Sequence, residues 1–179
     1  MKNKFNFIVL APEPSLGLIR TSVCCLSRYS DNIKISIPSK IDSKTIKSIE
    51  EIAPVVQGGE TITSLINAGF NKADDWQIII MAGVPITNGL IRKFNLFINS
   101  EKDVLFSVVP EIDRQGKISK LNNTFPTCSL NGLAINSKTF TEVGPFLEQG
   151  DLQHAKLYWA ATAIDCGCTF KGIVGLRMN

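Results

Sequence analysis

GGETITSLINAGFNKADDWQIIIMAGVPI, residues 58–86, carries the clearest structural pattern in this chain. Two glycines open it, and apolar residues then recur at helical spacing. After a polar break, the nearly continuous apolar run at residues 76–81 predicts a strand that is covered on both faces. A helix followed by such a strand is half of an α/β sheet of the nucleotide-binding kind. The loop at Ala82 and Gly83 would then lie at the carboxyl end of the strand, where these sheets place ligand groups.

The alternation of strands and helices continues toward the amino terminus. Residues 5–11 form an apolar run that predicts a buried strand, and Ser15 is placed to cap a helix whose apolar residues repeat at helical spacing. Residues 33–37 alternate apolar and polar, as a strand does, and Pro38 ends them. The first forty residues are therefore predicted to be β-α-β, which implies a right-handed crossover and parallel pairing.

The second half of the chain alternates in the same way, with more loops. Helices are predicted over residues 90–98, over 137–143 with Ser137 as the cap, and from Asp151 onward. Strands are predicted over three further stretches: residues 104–109, residues 128–135 with a glycine kink, and residues 170–176. The sequence thus predicts one α/β domain over residues 1–179, a three-layer α/β/α arrangement around a mostly parallel central sheet.

Composition excludes several classes of function. The chain has 179 residues, 44% of them hydrophobic, and a net charge of +3 without any run of basic residues, so nucleic acid is not an expected partner. No apolar run approaches the roughly 18 residues of a membrane span, and the amino terminus lacks the pattern of a signal peptide. These absences favour an intracellular, cytoplasmic protein. The five cysteines match no disulfide framework, and Cys128, Cys166 and Cys168 lack the usual zinc spacing.

With these elements placed, the chain resembles a GT-A glycosyltransferase domain, most similar to the inverting family-two kind, over nearly its whole length. Four pieces carry the resemblance: FIVLAPEPSLGLIRTSVCCLSRY, GGETITSLINAGF, DWQIIIMAGVPI and SLNGLAINSKTFTEVGPFLE. They correspond to the family's first strand and helix, its glycine pair before an Asn-Ala-Gly helix, the strand that delivers its Asp-x-Asp, and a glycine-bearing strand followed by a Phe, Val-Gly, Phe pattern.

The resemblance implies a nucleotide-diphosphate sugar bound at the carboxyl edge of the sheet, and an unidentified acceptor. The residues implied to lie near the nucleotide are Pro12, Glu13, Ser39, Lys40, Gly58, Gly59 and Asn67. The sugar diphosphate would approach Ala82 and Gly83, and Asn131 and Gly132 would line the acceptor side.

The chain departs from the family at its acidic positions. The two aspartates that hold a divalent ion are replaced by the run that begins Met81, Ala82, Gly83, so no metal cofactor is expected. The family's acidic base, at the start of the last long helix, corresponds to a stretch that holds Asp151 and His154. A histidine can take a hydroxyl proton near neutral pH, so His154, with Asp151 beside it, is the candidate base.

Each candidate residue also has a structural interpretation. Asp151 is interpreted first as a helix cap, and His154 as an exposed residue of the first helical turn. Gly58 and Gly59 either let a ligand approach the backbone at a helix N-terminus or simply form a turn. Glu13 and Lys40 are typical solvated charges, and Asn131 either orients a sugar hydroxyl or satisfies a strand bulge. The tryptophans Trp76 and Trp159 are predicted to be core residues.

Two functions remain open from the sequence. One is transfer of a sugar from a nucleotide-diphosphate donor to a hydroxyl, and the other is a non-catalytic GT-A-like binding or structural module. Sugar nucleotidyltransferases share the general sheet, but they carry a glycine-rich, arginine-bearing loop after the first strand, where this chain has APEPSLGLIR with a single glycine. The P-loop and the Gly-x-Ser-x-Gly elbow are both missing, which excludes P-loop ATPases and argues against α/β-hydrolases.

Overall fold

The computed structural model describes residues 5–70, 76–98, 103–108, 110–112, 118–121 and 130–174. Its centre is a seven-stranded sheet with the spatial order β3-β2-β1-β4-β8-β5-β9. The strands of this sheet are β1 Phe5–Leu10, β2 Ile33–Pro38, β3 Val55–Gly58, β4 Trp76–Met81, β5 Val104–Val108, β8 Leu133–Asn136 and β9 Phe170–Val174. A separate pair, β6 Pro110–Ile112 and β7 Ile118–Leu121, is antiparallel.

The sheet is parallel except for one strand. β1 pairs in parallel with both β2 and β4, β2 with β3, and β5 with β9. β8 runs antiparallel between β4 and β5. The predicted mostly parallel α/β sheet is confirmed, and the run at residues 76–81 is an interior strand with five of its six residues buried.

Helices cover both faces of the sheet. They are α1 Leu16–Leu26, α2 Ser43–Glu50, α3 Ile62–Gly69, α4 Asn88–Phe97, α5 Ser137–Val143 and α6 Leu152–Asp165. One buried cluster joins α1, α2 and α4 to the face that carries Phe7 and Ile78. A second cluster joins α3 and α6 to the face that carries Ile8 and Ile79. Because successive strand residues point to opposite faces, β1 and β4 contribute to both clusters, and the three-layer prediction is confirmed.

The predicted helix caps are confirmed only in part. Ser15 occupies the N-cap of α1, but its side chain makes no capping hydrogen bond. Its carbonyl accepts the Ile19 N–H instead, at 2.9 Å. α5 is capped by Asn136, whose Oδ1 accepts the Lys138 N–H at 2.9 Å, so the cap lies one residue before the predicted one. Ser137, the predicted cap, is buried in the first turn.

Strand boundaries also required correction. Within the described residues, β8 begins at Leu133, since the Leu133 N–H turns back to the Leu130 carbonyl at 3.0 Å. Cys128, where the strand was predicted to begin, lies outside those residues. Pro38 is the last residue of β2 and lies in register with Gly58. Leu121 pairs with Pro110 in the small sheet.

Within the described ranges, no helix combines the length and the apolar character needed to cross a membrane.

Candidate functional site

The candidate site is the carboxyl edge of the sheet, where β1 to β4 all end because they are parallel to one another. β8 begins at this edge because it runs the opposite way. The first turn of α6 also lies at this edge, because α6 leads back toward the start of β9, which is parallel to β5. The predicted ligand residues that end a strand, follow one or precede β8 all lie along this edge: Pro12, Glu13, Ser39, Lys40, Gly58, Gly59, Ala82, Gly83, Asn131 and Gly132.

The loop after β4 is fixed by hydrogen bonds from four consecutive backbone amides. Met81 N–H donates to Asn131 Oδ1 at 2.8 Å, and Ala82 N–H to the Leu10 carbonyl at 2.9 Å. Gly83 N–H donates to Ser22 Oγ at 2.8 Å, and Val84 N–H to the Met81 carbonyl at 3.1 Å. These donors are used inside the protein, so a diphosphate at this loop needs other cationic or polar groups.

Gly83 has a backbone reason to be glycine. Its φ is +84°, a conformation that residues with a Cβ adopt rarely. A Cβ at this position would also lie 3.0 Å from Leu18 Cδ2, and the Leu18 side chain is about half exposed over the loop. Glycine therefore lets another group pack closely against this loop, and the group that does so is the Leu18 side chain of α1.

The glycine pair at the end of β3 serves the packing of α3 onto the sheet. A Cβ at Gly58 would lie 2.6 Å from the Ser64 carbonyl oxygen, so the helix backbone leaves room only for glycine. At Gly59 the nearest atom is the Ser64 side-chain oxygen at 2.9 Å, which belongs to the capping box that Ser64 forms with Thr61. Both glycines are half-buried. The structural interpretation accounts for Gly58, while Gly59 still borders the candidate site.

Acidic side chains lie around this glycine pair. Ser39 Oγ donates to Glu60 Oε1 at 3.3 Å. Glu148 Oε2 lies 4.0 Å from where a Gly59 Cβ would be. Glu13 and Lys40, in the loops after β1 and β2, are exposed. The carboxylates at this part of the edge favour groups that donate hydrogen bonds, such as ribose hydroxyls or base amines, and disfavour an unscreened phosphate.

The Asn67 side chain is hydrogen-bonded to the segment that precedes α6. Its Nδ2 donates to the Phe146 carbonyl at 2.9 Å and to Glu148 Oε1 at 3.0 Å. Its Oδ1 accepts the Phe146 N–H at 2.9 Å. The side chain thus pairs with both backbone groups of one residue, as a neighbouring strand would. This geometry makes Asn67 a structural clamp between α3 and the chain that leads to the candidate base.

The start of α6 holds the two candidate catalytic residues. Asp151 is the N-cap, and its Oδ1 accepts the His154 N–H at 2.7 Å, so the capping interpretation is confirmed. The His154 side chain is exposed in the first turn of the helix. An exposed imidazole at this edge can reach an acceptor hydroxyl, and its role as a base stays a prediction.

Asn131 supports the loop after β4 through the 2.8 Å bond to Met81 N–H, and it takes part in a further interaction. Gly132 N–H donates to the Ile79 carbonyl at 2.9 Å and is buried. Both residues therefore join β8 to β4 at the predicted position. Whether they meet an acceptor stays a prediction.

A metal centre finds no support in the part of the chain that the structure describes. In those residues, no three His, Cys, Asp or Glu side chains come together in a way that could hold a metal ion. Cys166 and Cys168 follow α6 at the opposite edge, where burial first and Asp103 second raise the pKa of the Cys168 thiol. Cys128 lies outside the described residues.

Three residues that organise this edge were missed by the sequence interpretation. Ser22 is buried in α1 and holds Gly83 from a distance of 61 positions along the chain. Glu148 and Glu60 join the loop before α6 and the loop after β3 to their neighbours. The position of Ser22 on the apolar side of a helix could have indicated that its hydroxyl has a buried hydrogen-bond partner. Isolated glutamates in polar loops give no signal of position.

Comparison with known proteins adds information on the fold alone. No protein-family model matches this chain, and no curated protein does so either. A solved 4-diphosphocytidyl-2C-methyl-D-erythritol synthase matches with a TM-score of 0.65 and 14% identity, over 100% of this chain and 94% of its own. The corresponding enzyme from Anaerococcus prevotii gives 0.63 and 13%, over 97% and 87%. A Bacillus anthracis protein named as a glucose-1-phosphate thymidylyltransferase gives 0.53 and 12%, over 96% and 88%.

These solved structures are nucleotidyltransferases with a GT-A-like sheet, so the α/β fold class is confirmed. The finer resemblance to family-two glycosyltransferases is not shown, because these neighbours are nucleotidyltransferases. At such low identity the likeness extends to the fold, and the reaction has to be argued from the site.

Proposed function

We propose that this protein binds a nucleotide-diphosphate sugar at the carboxyl edge of its sheet and transfers the sugar to a hydroxyl acceptor. The observation that carries the proposal is the convergence of the loops after β1, β2, β3 and β4, the start of β8 and the first turn of α6 on one edge. Ligands of open α/β sheets bind outside the carboxyl ends of the strands. The fold shared with nucleotidyltransferases supports a nucleotide ligand.

The groups at the edge suggest how such a ligand would be held. Glu60 and Glu148 would accept hydrogen bonds from ribose or base, and Ser39 would help to orient Glu60. Ala82 and Gly83 would give the sugar a surface without side-chain bulk. His154 would take the proton from the acceptor hydroxyl. The leaving diphosphate carries a negative charge that a cation would stabilise. The β4 loop has no cationic side chain, and its amides from Met81 to Val84 are already hydrogen-bonded.

Ligand binding is tested by thermal unfolding of the whole chain with a panel of uridine, guanosine, adenosine, cytidine and thymidine diphosphate sugars, each with and without manganese. A donor at 100 times its Kd raises the stability of the folded protein by about 2.7 kcal/mol, so one member of the panel is expected to raise the melting temperature. If no donor at millimolar concentration shifts the transition in either condition, the proposal fails.

The reaction itself is tested with the donor that binds. Release of the nucleoside diphosphate in the presence of hydroxyl acceptors supports sugar transfer. A parallel reaction supplies a nucleoside triphosphate and a sugar 1-phosphate. Release of pyrophosphate in that reaction would replace the proposal with nucleotidyl transfer, the reaction type of the thymidylyltransferase named above.

A second candidate function is a non-catalytic binding or structural module. It is favoured by the occupied amides of the β4 loop and by the use of Asp151 as a cap. His154→Ala separates the two candidates. A fall in turnover with unchanged donor affinity supports an enzyme, whereas an intact biological role in this variant supports the module.

A further inference from the structure

The solvent-facing side of α6 carries a group of exposed apolar side chains. In the described residues five large apolar side chains are strongly exposed, and three of them lie on this helix: Leu157 at 51%, Tyr158 at 54% and Ile164 at 62%. Ala161, between them, is exposed as well. Exposed apolar residues that occur singly need no explanation, but a contiguous group marks a surface that another molecule covers.

The spacing of these residues matches the line along which two helices pack. Positions 154, 158, 161 and 165 follow one another at intervals of four, three and four, which is the repeat of a coiled coil. Leu157 and Ile164 lie beside this line, both on the same side of it. All six residues are exposed. We call them the α6 seam: His154, Leu157, Tyr158, Ala161, Ile164 and Asp165.

Charge distinguishes the α6 seam from other helix surfaces. Its ionisable end groups are the His154 imidazole in the first turn and the Asp165 carboxylate in the last, and the seam residues between them are uncharged. On α5, by contrast, exposed Lys138 and Glu142 form an ion pair at 3.8 Å. A helix that lies on a lipid surface has basic residues beside its apolar stripe, and the α6 seam has none. Its two ends instead complement each other, which favours a second copy of the same surface.

A second copy fits the α6 seam when its helix runs in the opposite direction. A twofold axis midway between Tyr158 and Ala161 places Tyr158 opposite Ala161 of the partner subunit, so that a large ring meets a small side chain. The same axis places His154 opposite Asp165 of the partner subunit, an imidazole beside a carboxylate. A parallel pair would instead bring the two Asp165 carboxylates together and align the two helix dipoles. We propose that two copies of this chain associate through antiparallel α6 helices.

The proposed interface is small, so the dimer should be weak. Beside the central pairs, Leu157 packs next to Ile164 of the partner subunit and adds apolar area on both sides of the axis. α6 has 14 residues and is about 21 Å long. One helix pair of this length covers less than the roughly 800 Å² per partner of a standard interface, so the dissociation constant should be about 1–100 μM. The inference is independent of the proposed function, and an imidazole that faces the partner's carboxylate keeps its second ring nitrogen for an acceptor.

Sedimentation equilibrium of the whole chain, from about 0.5 to 500 μM, measures this association. The unchanged protein should pass from monomer to dimer across that range. Leu157→Glu puts two carboxylates into the apolar contact, one from each copy, and should raise the dissociation constant at least tenfold. Leu96→Glu is the matched control, because Leu96 is an exposed leucine of α4, which packs on the other face of the sheet. It should leave the constant unchanged.

Two results of this measurement would overturn the inference. One is a chain that stays monomeric over the whole range, and the other is a dimer that Leu157→Glu does not weaken, because such a dimer would use another surface. Flotation with anionic phospholipid vesicles tests a different occupant. Binding of monomeric protein to these vesicles, lost in Leu157→Glu, would assign the α6 seam to a membrane and overturn the inference as well.

Exchange of the end groups tests the antiparallel direction. His154→Asp places a carboxylate opposite Asp165 of the partner subunit, and Asp165→Arg places a guanidinium opposite an imidazole, so each change alone should raise the dissociation constant severalfold. The double variant restores opposite charges and should return the constant to within about threefold of the unchanged protein. Both positions are exposed, and the new charges agree with the helix dipole, so circular dichroism should show an intact helix. A double variant as weak as the single ones overturns the antiparallel pairing.

Discussion

At the scale of single residues, Asn67 shows how a predicted ligand residue can be a structural one. Its side chain pairs with both backbone groups of Phe146 and with Glu148. Asn67→Ala leaves these groups without their partners, and the free energy of unfolding should fall by about 1–3 kcal/mol in urea titrations. Asn67→Asp should cost at least as much, because it adds a charge beside Glu148. Loss of donor affinity at unchanged stability would support the predicted place of Asn67 near the nucleotide.

The sequence could not have revealed this role, because the clamp joins residues 79 positions apart. The cap at Asp151 was predictable, since it acts on an amide three residues away. A hydrogen bond between residues that are close in the sequence can be predicted from the residue types and their spacing. A contact between residues that are far apart in the sequence cannot. The occupied amides at Met81 and Gly83 belong to the second kind, because Asn131 and Ser22 meet them from distant parts of the chain.

A pair of glycine substitutions tests the packing of α3. Gly58→Ala places a methyl group 2.6 Å from a backbone oxygen of α3, and the resulting strain should lower the free energy of unfolding by about 1–3 kcal/mol. Gly17→Ala is the matched control, because the residue is helical and no atom outside its own helix backbone and chain neighbours lies within 4 Å of the added Cβ. It should raise stability by up to about 1 kcal/mol. Equal urea midpoints for the two variants would contradict this account of Gly58.

At the scale of elements, α2 depends on a cap that titrates. Thr45 donates to the Asp42 carboxylate from its hydroxyl at 2.6 Å and from its N–H at 2.9 Å, and Lys44 N–H adds a third bond. The Thr45 hydroxyl bond and then the backbone bonds hold the pKa of Asp42 below its ordinary value. Because the pKa is depressed in the folded state, this stabilisation is complete above the unfolded pKa of about 4 and is lost as pH falls through the folded pKa.

The prediction for this cap is a comparison with Asp42→Asn, which keeps a capping oxygen but does not titrate. The difference in urea midpoint between the unchanged protein and the variant should be constant from about pH 5 to pH 8 and should shift toward the variant below about pH 4. A difference that stays constant down to pH 2 would show that the cap carries no charge-dependent stability.

The sequence predicted most elements, because their periodicity and end signals are local. The apolar run of β4, the alternation of β2 and the apolar stripes of the helices are all present in the structure. The reversed direction of β8 was not predicted, since a four-residue strand has the same composition in either direction. Its orientation is fixed by pairing with both β4 and β5, and this pairing brings Asn131 and Gly132 to the candidate site.

At the scale of the whole molecule, one sheet carries two hydrophobic clusters, so the two helical layers should unfold together. Trp76 belongs to the first cluster, and Trp159 to the second, where it stacks on Phe146 with ring centroids 4.9 Å apart. These are the chain's two tryptophans, so each layer has its own fluorescent reporter. Since β1 and β4 contribute to both clusters, loss of one layer removes the support of the other.

The measurement uses Trp76→Phe and Trp159→Phe, in which fluorescence reports one layer and circular dichroism reports all helices. Within each variant the two signals should give the same urea midpoint. Trp159→Phe should be the less stable variant, because it also removes the 2.9 Å hydrogen bond from the indole N–H to the Gly144 carbonyl. Separate midpoints within one variant would mean that the layers unfold independently. The candidate site at the carboxyl edge would then lie at the boundary between two cooperative units. A ligand bound there should bring the two midpoints together.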